Sequence, residues 1–313
     1  MRKTIAALAV LAAIALCVCS GCSSTPKGTG EVFTVRNQAA GFAETAEGLF
    51  LQGEYAKALD LYFKAYDLHA SVDNLPGIVR TSVSIGRLYL LTGRTEAAHT
   101  ALSAAFERAA ELGDPDLVLV STNGLAEYCL ATDQNDMASE YIAKGFELSE
   151  GGADSADLAL LYHNHGILCK RTGKPAEAEE AFLKAAAINA KLMKHAQLAS
   201  NRYMIASLAL QRNDIEGALD WLLQALASDK AAENSRGIAS DLHAIASILQ
   251  RQGSHEEALD HFQRAFTIYR GLGMLEESRR SLTQIIVEAE ALGRDAEAEQ
   301  YRSILEALSA RER

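Results

Sequence analysis

The residues best suited to chemistry are two histidines and a cysteine near the middle of the chain. His163, His165 and Cys169 lie close together in the sequence, so a metal site and a catalytic cysteine–histidine pair must both be considered. On a helix, residues two apart point about 200° apart, so the two histidines cannot easily share a metal ion. Cys169 falls at an apolar packing position, where a small buried side chain is the better interpretation. We therefore predict no metal site, no cofactor and no catalytic residue.

Other motifs of catalysis are missing from the sequence. It contains no phosphate-binding glycine loop, no H-E-x-x-H and no G-x-S-x-G. Cys129 and Cys169 hold equivalent places in neighbouring helical units, which stack about 10 Å apart, too far for a disulfide. We predict two free, buried thiols and a protein that is not an enzyme.

Composition narrows the class of protein. Of 313 residues, 49% are hydrophobic but only 6% aromatic. Alanine and leucine dominate, which favours helix, and no segment alternates as a strand would. The formal net charge of -11 argues against a nucleic-acid partner and against electrostatic attachment to anionic lipid.

The histidines belong to a unit, Tyr162 to Ala185, that recurs every forty residues. It contains two short amphipathic helices with a hinge at Gly173 between them. Its alanine, Ala178, has six equivalents: Ala58, Ala98, Ala138, Ala218, Ala258 and Ala298. The hinges are Gly53, Gly93, Asp133, Gly173, Asn213, Gly253 and Gly293. Glycine, asparagine and aspartate enter the left-handed backbone region most cheaply, as a helix end followed by a tight turn requires.

Two further positions of the unit carry a size requirement. Seven residues before the hinge the residue is small: Ala46, Gly86, Ala126, Gly166, Ala206 and Ala246. Nine residues after the hinge it is bulky: Tyr62, Leu102, Ile142, Phe182, Leu222 and Phe262. We expect the paired helices to approach closely at the small residues. The seventh unit departs from the pattern with Ile286, Arg302 and Leu305, and we interpret it as a terminal cap.

These positions resemble the tetratricopeptide repeat, W-x2-L-G-x2-Y followed by A-x3-F. Two units follow it at each position: Ser82-x2-Ile85-Gly86-x2-Tyr89 with Ala98-x3-Leu102, and Tyr162-x2-His165-Gly166-x2-Cys169 with Ala178-x3-Phe182. The period of forty instead of about 34 and the missing closing proline are departures. The resemblance implies an all-α, right-handed α-solenoid over residues 37–313. It would contain about seven antiparallel helix pairs, or fourteen helices.

The amino terminus is organised as a secretory signal. Residues 1–21 have a basic start, an apolar run and small residues before Cys22. Ser20-Gly21-Cys22 resembles the lipobox of bacterial lipoproteins, although Cys19 stands where that family prefers leucine.

The resemblance implies lipidation of Cys22 and a lipid anchor in the cell envelope. Ser23 in place of aspartate then favours the outer membrane, facing the periplasm. The alternatives are an ordinary cleaved signal and an uncleaved anchor. Residues 22–36 are predicted to be the lipidated cysteine and a flexible tether.

The resemblance also locates a binding surface. In the family's register, the first helix of each pair lines a concave groove. The groove-facing residues are then Arg87, Asn123, Glu127, His163, Asn164, Lys170, Arg171, Tyr203, Met204, His243, Gln250 and Arg251. Asn164 matches the asparagine with which family members hold a peptide backbone. The set is polar with a basic tilt, which suits an extended peptide of acidic character. The alternative is plain solvent exposure of these residues.

From these observations we expect a membrane-anchored, extracytoplasmic scaffold or adaptor. It would bind a protein or peptide partner in the concave groove, in envelope assembly or secretion, with no small-molecule substrate. The alternative is a regulator that docks and modulates a cell-wall hydrolase or a protease.

Overall fold

The computed structural model describes residues 34–310, and this part of the chain is entirely helical. It contains fourteen α-helices and no strand. They form seven antiparallel pairs, as the sequence predicts. The helices are α1 Thr34–Leu51, α2 Tyr55–Ser71, α3 Leu75–Leu91, α4 Thr95–Leu112, α5 Pro115–Ala131, α6 Asn135–Leu148, α7 Ala156–Arg171, α8 Pro175–Lys191, α9 His195–Gln211, α10 Ile215–Ala231, α11 Ser235–Arg251, α12 His255–Gly271, α13 Leu275–Ala291 and α14 Asp295–Ala310.

The first helix corrects one predicted boundary. Because α1 begins at Thr34, residues 34–36 are helical, not part of the tether predicted over 22–36. Cys22 and the predicted signal lie outside the described residues. In the region from 34 to 310, every helix falls short of the combination of length and apolarity that a bilayer-crossing segment needs.

Each pair turns at a residue with left-handed backbone. The seven hinge residues predicted from the sequence have φ between 58° at Asp133 and 80° at Gly53. The following residue then bonds back to the first helix: the Arg94 amide donates to the Tyr89 carbonyl oxygen at 2.8 Å. This 6→1 bond satisfies a carbonyl that would otherwise be unpaired at the helix end.

The same turn recurs between successive pairs, where its residue type varies. Asp73, Gly113, Gly151, Glu233 and Gly273 all have positive φ. The turn between the fourth and fifth pairs contains no glycine, asparagine or aspartate, and there Met193 adopts the left-handed backbone, at φ 54°. Lys194 closes that turn by donating its amide to the Asn189 carbonyl oxygen at 2.9 Å. Tertiary packing therefore imposes the turn where the local sequence does not favour it.

The core of each pair is built on the small residues. All seven repeated alanines are fully buried. A Cβ atom added to Gly86 would lie 2.6 Å from Leu102 Cγ, and one added to Gly166 would lie 2.6 Å from Phe182 Cε1. The bulky residue of the second helix thus occupies the space that a side chain at these positions would need. In the last pair, Arg302 replaces the bulky residue and pairs with Glu290 and Glu299 at the surface.

Two distant parts of the solenoid also meet. The hinge of the first pair lies against the loop after α12, where a Cβ atom on Gly53 would be 2.5 Å from Leu272 Cδ2. Phe50 and Tyr55, beside this hinge, line a cavity together with Tyr203. The first pair therefore contacts residues more than two hundred positions away in the sequence.

A buried pair of carboxyl groups joins α10 to α11. Asp229 and Asp241 are 3% and 1% exposed and share a hydrogen bond. Asn234 Nδ2 donates to Asp229 Oδ1 at 2.8 Å, whereas no donor from residues 34–310 reaches Asp241 Oδ2. Burial raises the pKa of both carboxyls above the ordinary 3.8, to about 6 for Asp229 and about 9 for Asp241, and the Asp229 charge adds to the effect on Asp241. A proton held between the two carboxyls therefore keeps the pair together.

We expect the substitution Met193→Gly to stabilise the protein. It removes a strained left-handed methionine that is 74% exposed, so little packing is lost. The free energy of unfolding should rise by about 1 kcal/mol, measured by urea denaturation. The matched change Gly173→Ala should lower it by a similar amount. An unchanged or lower value for Met193→Gly would show that the turn is not strained.

We expect stability to fall as the pH rises toward 9. Below that pH the folded state holds a proton on Asp241, and below about pH 6 one on Asp229 as well, that the unfolded chain, with carboxyl pKa near 3.8, has already released. The unfolding free energy should therefore decrease by about 1 kcal/mol per pH unit between pH 6 and 9.

Asp241→Asn should flatten this dependence, because the amide donates to Asp229 without titrating. Urea denaturation at each pH compares it with the wild type and with Asp67→Asn, an exposed control. Parallel curves for wild type and Asp241→Asn would refute the assignment.

Candidate functional site

A cavity of about 440 Å³ is formed by residues from the first five helix pairs. We call it the five-repeat cavity. Its lining is Glu47, Phe50, Tyr62, Ser84, Arg87, Glu127, Ala156, Asp157, Leu160, His163, Asn189, Lys194, Gln197, Ser200 and Asn201. Most of these residues belong to the first helices of their pairs, α1, α3, α5, α7 and α9. Arg87, Glu127 and His163 are the sequence-predicted binding residues that line it.

An adjoining cavity of about 410 Å³ shares Phe50, Gln197 and Ser200 with the first. Tyr203 lines it, and so does the buried pair Asp229 and Asp241. The remaining eight sequence-predicted residues line neither cavity: Asn123, Asn164, Lys170, Arg171, Met204, His243, Gln250 and Arg251.

A ladder of charges runs along one side of the five-repeat cavity. Glu47, Arg87 and Glu127 occupy equivalent positions, forty residues apart, on α1, α3 and α5. Arg87 Nε donates to Glu127 Oε2 at 2.5 Å, and Arg87 Nη2 is buried without an acceptor in the part of the chain that the structure describes. Burial disfavours the guanidinium, but Glu127, Asp157 and Glu47 more than offset it and raise the pKa of Arg87. The arginine stays charged and has a donor to spare.

Three other ionisable groups of the cavity respond to burial. Desolvation raises the pKa of Asp157, against the opposing charges of Arg87 and Arg80. Burial, together with the Glu47 charge, raises the pKa of Tyr62 to about 12. His163 has its pKa lowered by burial, so it is neutral at pH 7. The lining therefore has three carboxylates, Arg87 and Lys194 as its charged groups.

Several predicted binding residues instead join one repeat to the next. His163 Nδ1 donates to Asn201 Oδ1 at 2.7 Å, and His243 Nδ1 bonds to Ser281 Oγ at 3.1 Å. Each bond links a residue of one first helix to the residue 38 positions later, on the first helix of the next pair, and Tyr203 faces Asp241 in the same relation. These side chains hold the first helices in their stack.

Other polar residues predicted to bind a partner also form hydrogen bonds to a neighbouring repeat. Lys170 Nζ donates to Ser207 Oγ at 2.6 Å, and Gln250 Nε2 donates to Gln284 at 3.0 Å and to Glu288 at 2.5 Å. Arg171 donates back to the Leu130 carbonyl oxygen and to Asp133. In contrast, Met204 packs beside the Phe182 cluster and Arg251 is exposed away from both cavities.

The two predicted asparagines are buried between helices. Asn123 Nδ2 donates to the Asp157 carbonyl oxygen at 2.9 Å. Asn164 is 1% exposed, and its Nδ2 has no acceptor. The equivalent residue of the preceding pair, Gly124, packs against Leu102, so this position faces a neighbouring helix and not the cavity. The predicted role of Asn164 in holding a peptide backbone does not fit this burial.

The histidine and cysteine considered for catalysis do meet. His165 Nε2 lies 3.4 Å from Cys169 Sγ. Burial lowers the pKa of His165 and raises the pKa of Cys169, so both are neutral at pH 7. A catalytic pair needs a thiolate, which this environment disfavours. Cys129 and Cys169 are both free and buried, as predicted from the sequence. Within residues 34–310, no group of three potential ligands could hold a metal ion.

Sequence reasoning missed Glu47, Phe50, Tyr62, Asp157 and Asn201 as cavity residues. Glu47 had a usable signal, because it precedes Arg87 and Glu127 by multiples of forty. Phe50, Tyr62, Asp157 and Asn201 had none, since their convergence depends on the curvature of the stack. The basic tilt expected for the groove is not found in the lining of this cavity: Lys170, Arg171 and Arg251 lie elsewhere, and carboxylates outnumber basic side chains there.

Known structures share this fold. The Rap protein complexed with competence and sporulation factor matches at 14% identity and a TM-score of 0.64, covering 88% of this chain and 75% of that one. PilW, a type IV pilus biogenesis factor, matches at 19% identity and 0.54, covering 74% and 93%. A STAND protein with a tetratricopeptide repeat sensor from Pyrococcus horikoshii matches at 15% identity and 0.65, covering 85% and 40%.

No curated protein matches the sequence. The family model "Tetratricopeptide repeat", in contrast, matches residues 43–111, 117–191, 157–231 and 197–271. Proteins of this family bind protein or peptide partners and act as scaffolds. These segments span most of the chain and agree with the observed helix pairs. The chain therefore belongs to the tetratricopeptide repeat family.

Proposed function

We propose that this protein is a non-catalytic adaptor of the bacterial cell envelope, anchored by a lipid on Cys22, that binds a segment of a partner protein in the five-repeat cavity. The observation that carries the binding proposal is the convergence of five helix pairs on one cavity containing Arg87. Arg87 is only partly buried, but its Nη2 atom is shielded from solvent, and an unfilled donor there is costly unless an acceptor arrives. A peptide carbonyl is such an acceptor.

The size of the cavity limits what it can bind. About 440 Å³ lies within the range of small-ligand sites and holds a few side chains, not a folded domain. The wall combines aromatic rings, Phe50 and Tyr62, with carboxylates and Arg87. Such a mixture suits a short polypeptide segment, whose side chains and backbone use both kinds of surface.

The neutral Cys169–His165 contact supports a role without catalysis. This buried pair lacks the ionised thiol that acyl transfer would need. We therefore assign the protein to binding, in agreement with the family to which it belongs.

The location in the envelope rests on the amino-terminal sequence. A basic start, an apolar run and Ser20-Gly21-Cys22 favour export and lipidation. Several acyl chains would give a stable anchor where one would be marginal. Ser23 favours the outer membrane, with the solenoid in the periplasm. PilW shares the fold and is a pilus biogenesis factor, which makes envelope assembly or secretion the pathway class to test first.

Photo-crosslinking in cells tests the binding site. A photoreactive residue at Glu47, Leu160 or Gln197 should capture one dominant protein, because these positions line the cavity. The same residue at Glu107, which does not line it, is the matched control. Ser200→Trp fills the junction of the two cavities and should reduce capture about tenfold.

The identity of the captured protein separates two roles. An assembly or secretion component supports the adaptor, whereas a cell-wall hydrolase or protease supports regulation of that enzyme. Equal capture from Glu107 and from the cavity positions would contradict a binding site in the five-repeat cavity.

Labelling with an alkyne analogue of palmitate tests the anchor. The wild type should incorporate the label and fractionate with the outer membrane of a diderm host, because its thiol accepts the lipid. Cys22→Ser should lose both properties, whereas the control Cys19→Ser should keep them. Label on Cys22→Ser, or its persistence in the outer membrane, would overturn the proposed anchor.

A further inference from the structure

The charges of the five-repeat cavity do not balance, and the excess lies on two carboxylates. Arg87 is compensated by Glu127 through the 2.5 Å contact between Nε and Oε2. His163 is neutral because burial lowers its pKa, although the hydrogen bond from its Nδ1 to Asn201 opposes that shift. Lys194 lies in an exposed loop, where water screens its charge. Among residues 34–310, no hydrogen bond or ion pair reaches the carboxylates of Glu47 and Asp157.

Asp157 is the more costly of the two. Its carboxylate is partly buried, and desolvation raises its pKa although Arg87 and Arg80 oppose the shift. A carboxylate removed from water without a donor is destabilising, and a bound cation would relieve this cost. The same group thus favours a positively charged ligand over a neutral or acidic one.

The apolar part of the wall fits the rest of such a ligand. Phe50, Tyr62 and Leu160 line the cavity beside the carboxylates. Lysine and arginine carry a long aliphatic stem that packs on apolar surface while the charged end reaches a polar partner. An aromatic ring can also face the cation.

A second, independent feature points to a polypeptide as the carrier of that cation. Arg87 Nη2 is buried, and no residue of the described range 34–310 offers it an acceptor. It cannot bind a cation, but it can donate to a backbone carbonyl next to the basic side chain. A free amine would satisfy the carboxylates and leave this donor unused.

We infer that the partner segment presents a lysine or arginine side chain to Glu47 and Asp157 and a backbone carbonyl to Arg87. This rests on the proposed function and names the chemistry of its partner. It replaces the acidic peptide expected from the sequence with a basic one. The acidic charge of the whole chain, -11, would also attract such a segment before contact.

A random twelve-residue peptide library, displayed on phage and panned against the full-length protein in detergent, tests this inference. We expect lysine or arginine to be enriched at one position among the bound sequences. The protein variant carrying both Glu47→Gln and Asp157→Asn should lose that enrichment, and Glu107→Gln, an exposed carboxylate outside the cavity, should keep it. Circular dichroism of each variant verifies that it is folded.

Synthetic peptides then give the interaction between the two sides. An enriched peptide should bind the wild type about tenfold more tightly than the same peptide with its basic residue changed to glutamine. The double variant should bind both peptides equally, because the charges it lacks are the ones that distinguish them. Affinity of the basic peptide for the wild type should also weaken with added salt.

The outcomes separate the two proposals. The library could instead enrich acidic or uncharged sequences that compete with one another for the cavity. That result would overturn the inference of a basic residue but would still support a binding site in the cavity. Failure to enrich any sequence over a control protein would count against both. The glutamine peptide could lose the same affinity for the double variant as for the wild type. That result would place the basic contact elsewhere and refute the inference.

Discussion

The architecture of this protein depends on the close approach of paired helices at one small residue in each pair. At Gly86 and Gly166 the bulky partner side chain already occupies the place of a Cβ atom, and the repeated alanines opposite are fully buried. With this contact repeated every forty residues, each pair adopts the same geometry and the first helices stack in register. Side chains forty residues apart then become neighbours, as Arg87 and Glu127 show. The charge ladder of the cavity is thus a consequence of a packing constraint in the core.

The inner surface must also hold the stack together, and this competes with ligand binding. His163, Tyr203 and His243 each face a polar residue of the following pair. Such contacts satisfy polar groups that are removed from water by the next helix. In the proposed function, the side chains left for a partner are Arg87, whose Nη2 has no acceptor within residues 34–310, and Asp157, which is partly desolvated.

Most of the fold could be predicted from the sequence, whereas most residues of the five-repeat cavity could not. Hinges at glycine, aspartate and asparagine follow from local backbone preference, so their positions were predictable. Met193 turns in the same way without any local preference, because the helices on either side fix its position. The convergence of Glu47 with Asn201 depends on small rotations accumulated over several repeats, which residue types do not encode locally. Asn164 followed the register of the family but faces a neighbouring helix in this longer repeat.

The contact between Gly53 and Leu272 changes how the solenoid can unfold. In an open array each repeat touches only its neighbours, so terminal repeats can fray one at a time. Here the first pair gains a contact with a loop at the other side of the stack, and separating it breaks packing in two places. Forming this contact requires a long loop to close, which is slow and comes after the local helix pairs have formed. The array thereby acquires a cooperative, late folding step in which its first and sixth repeats depend on each other.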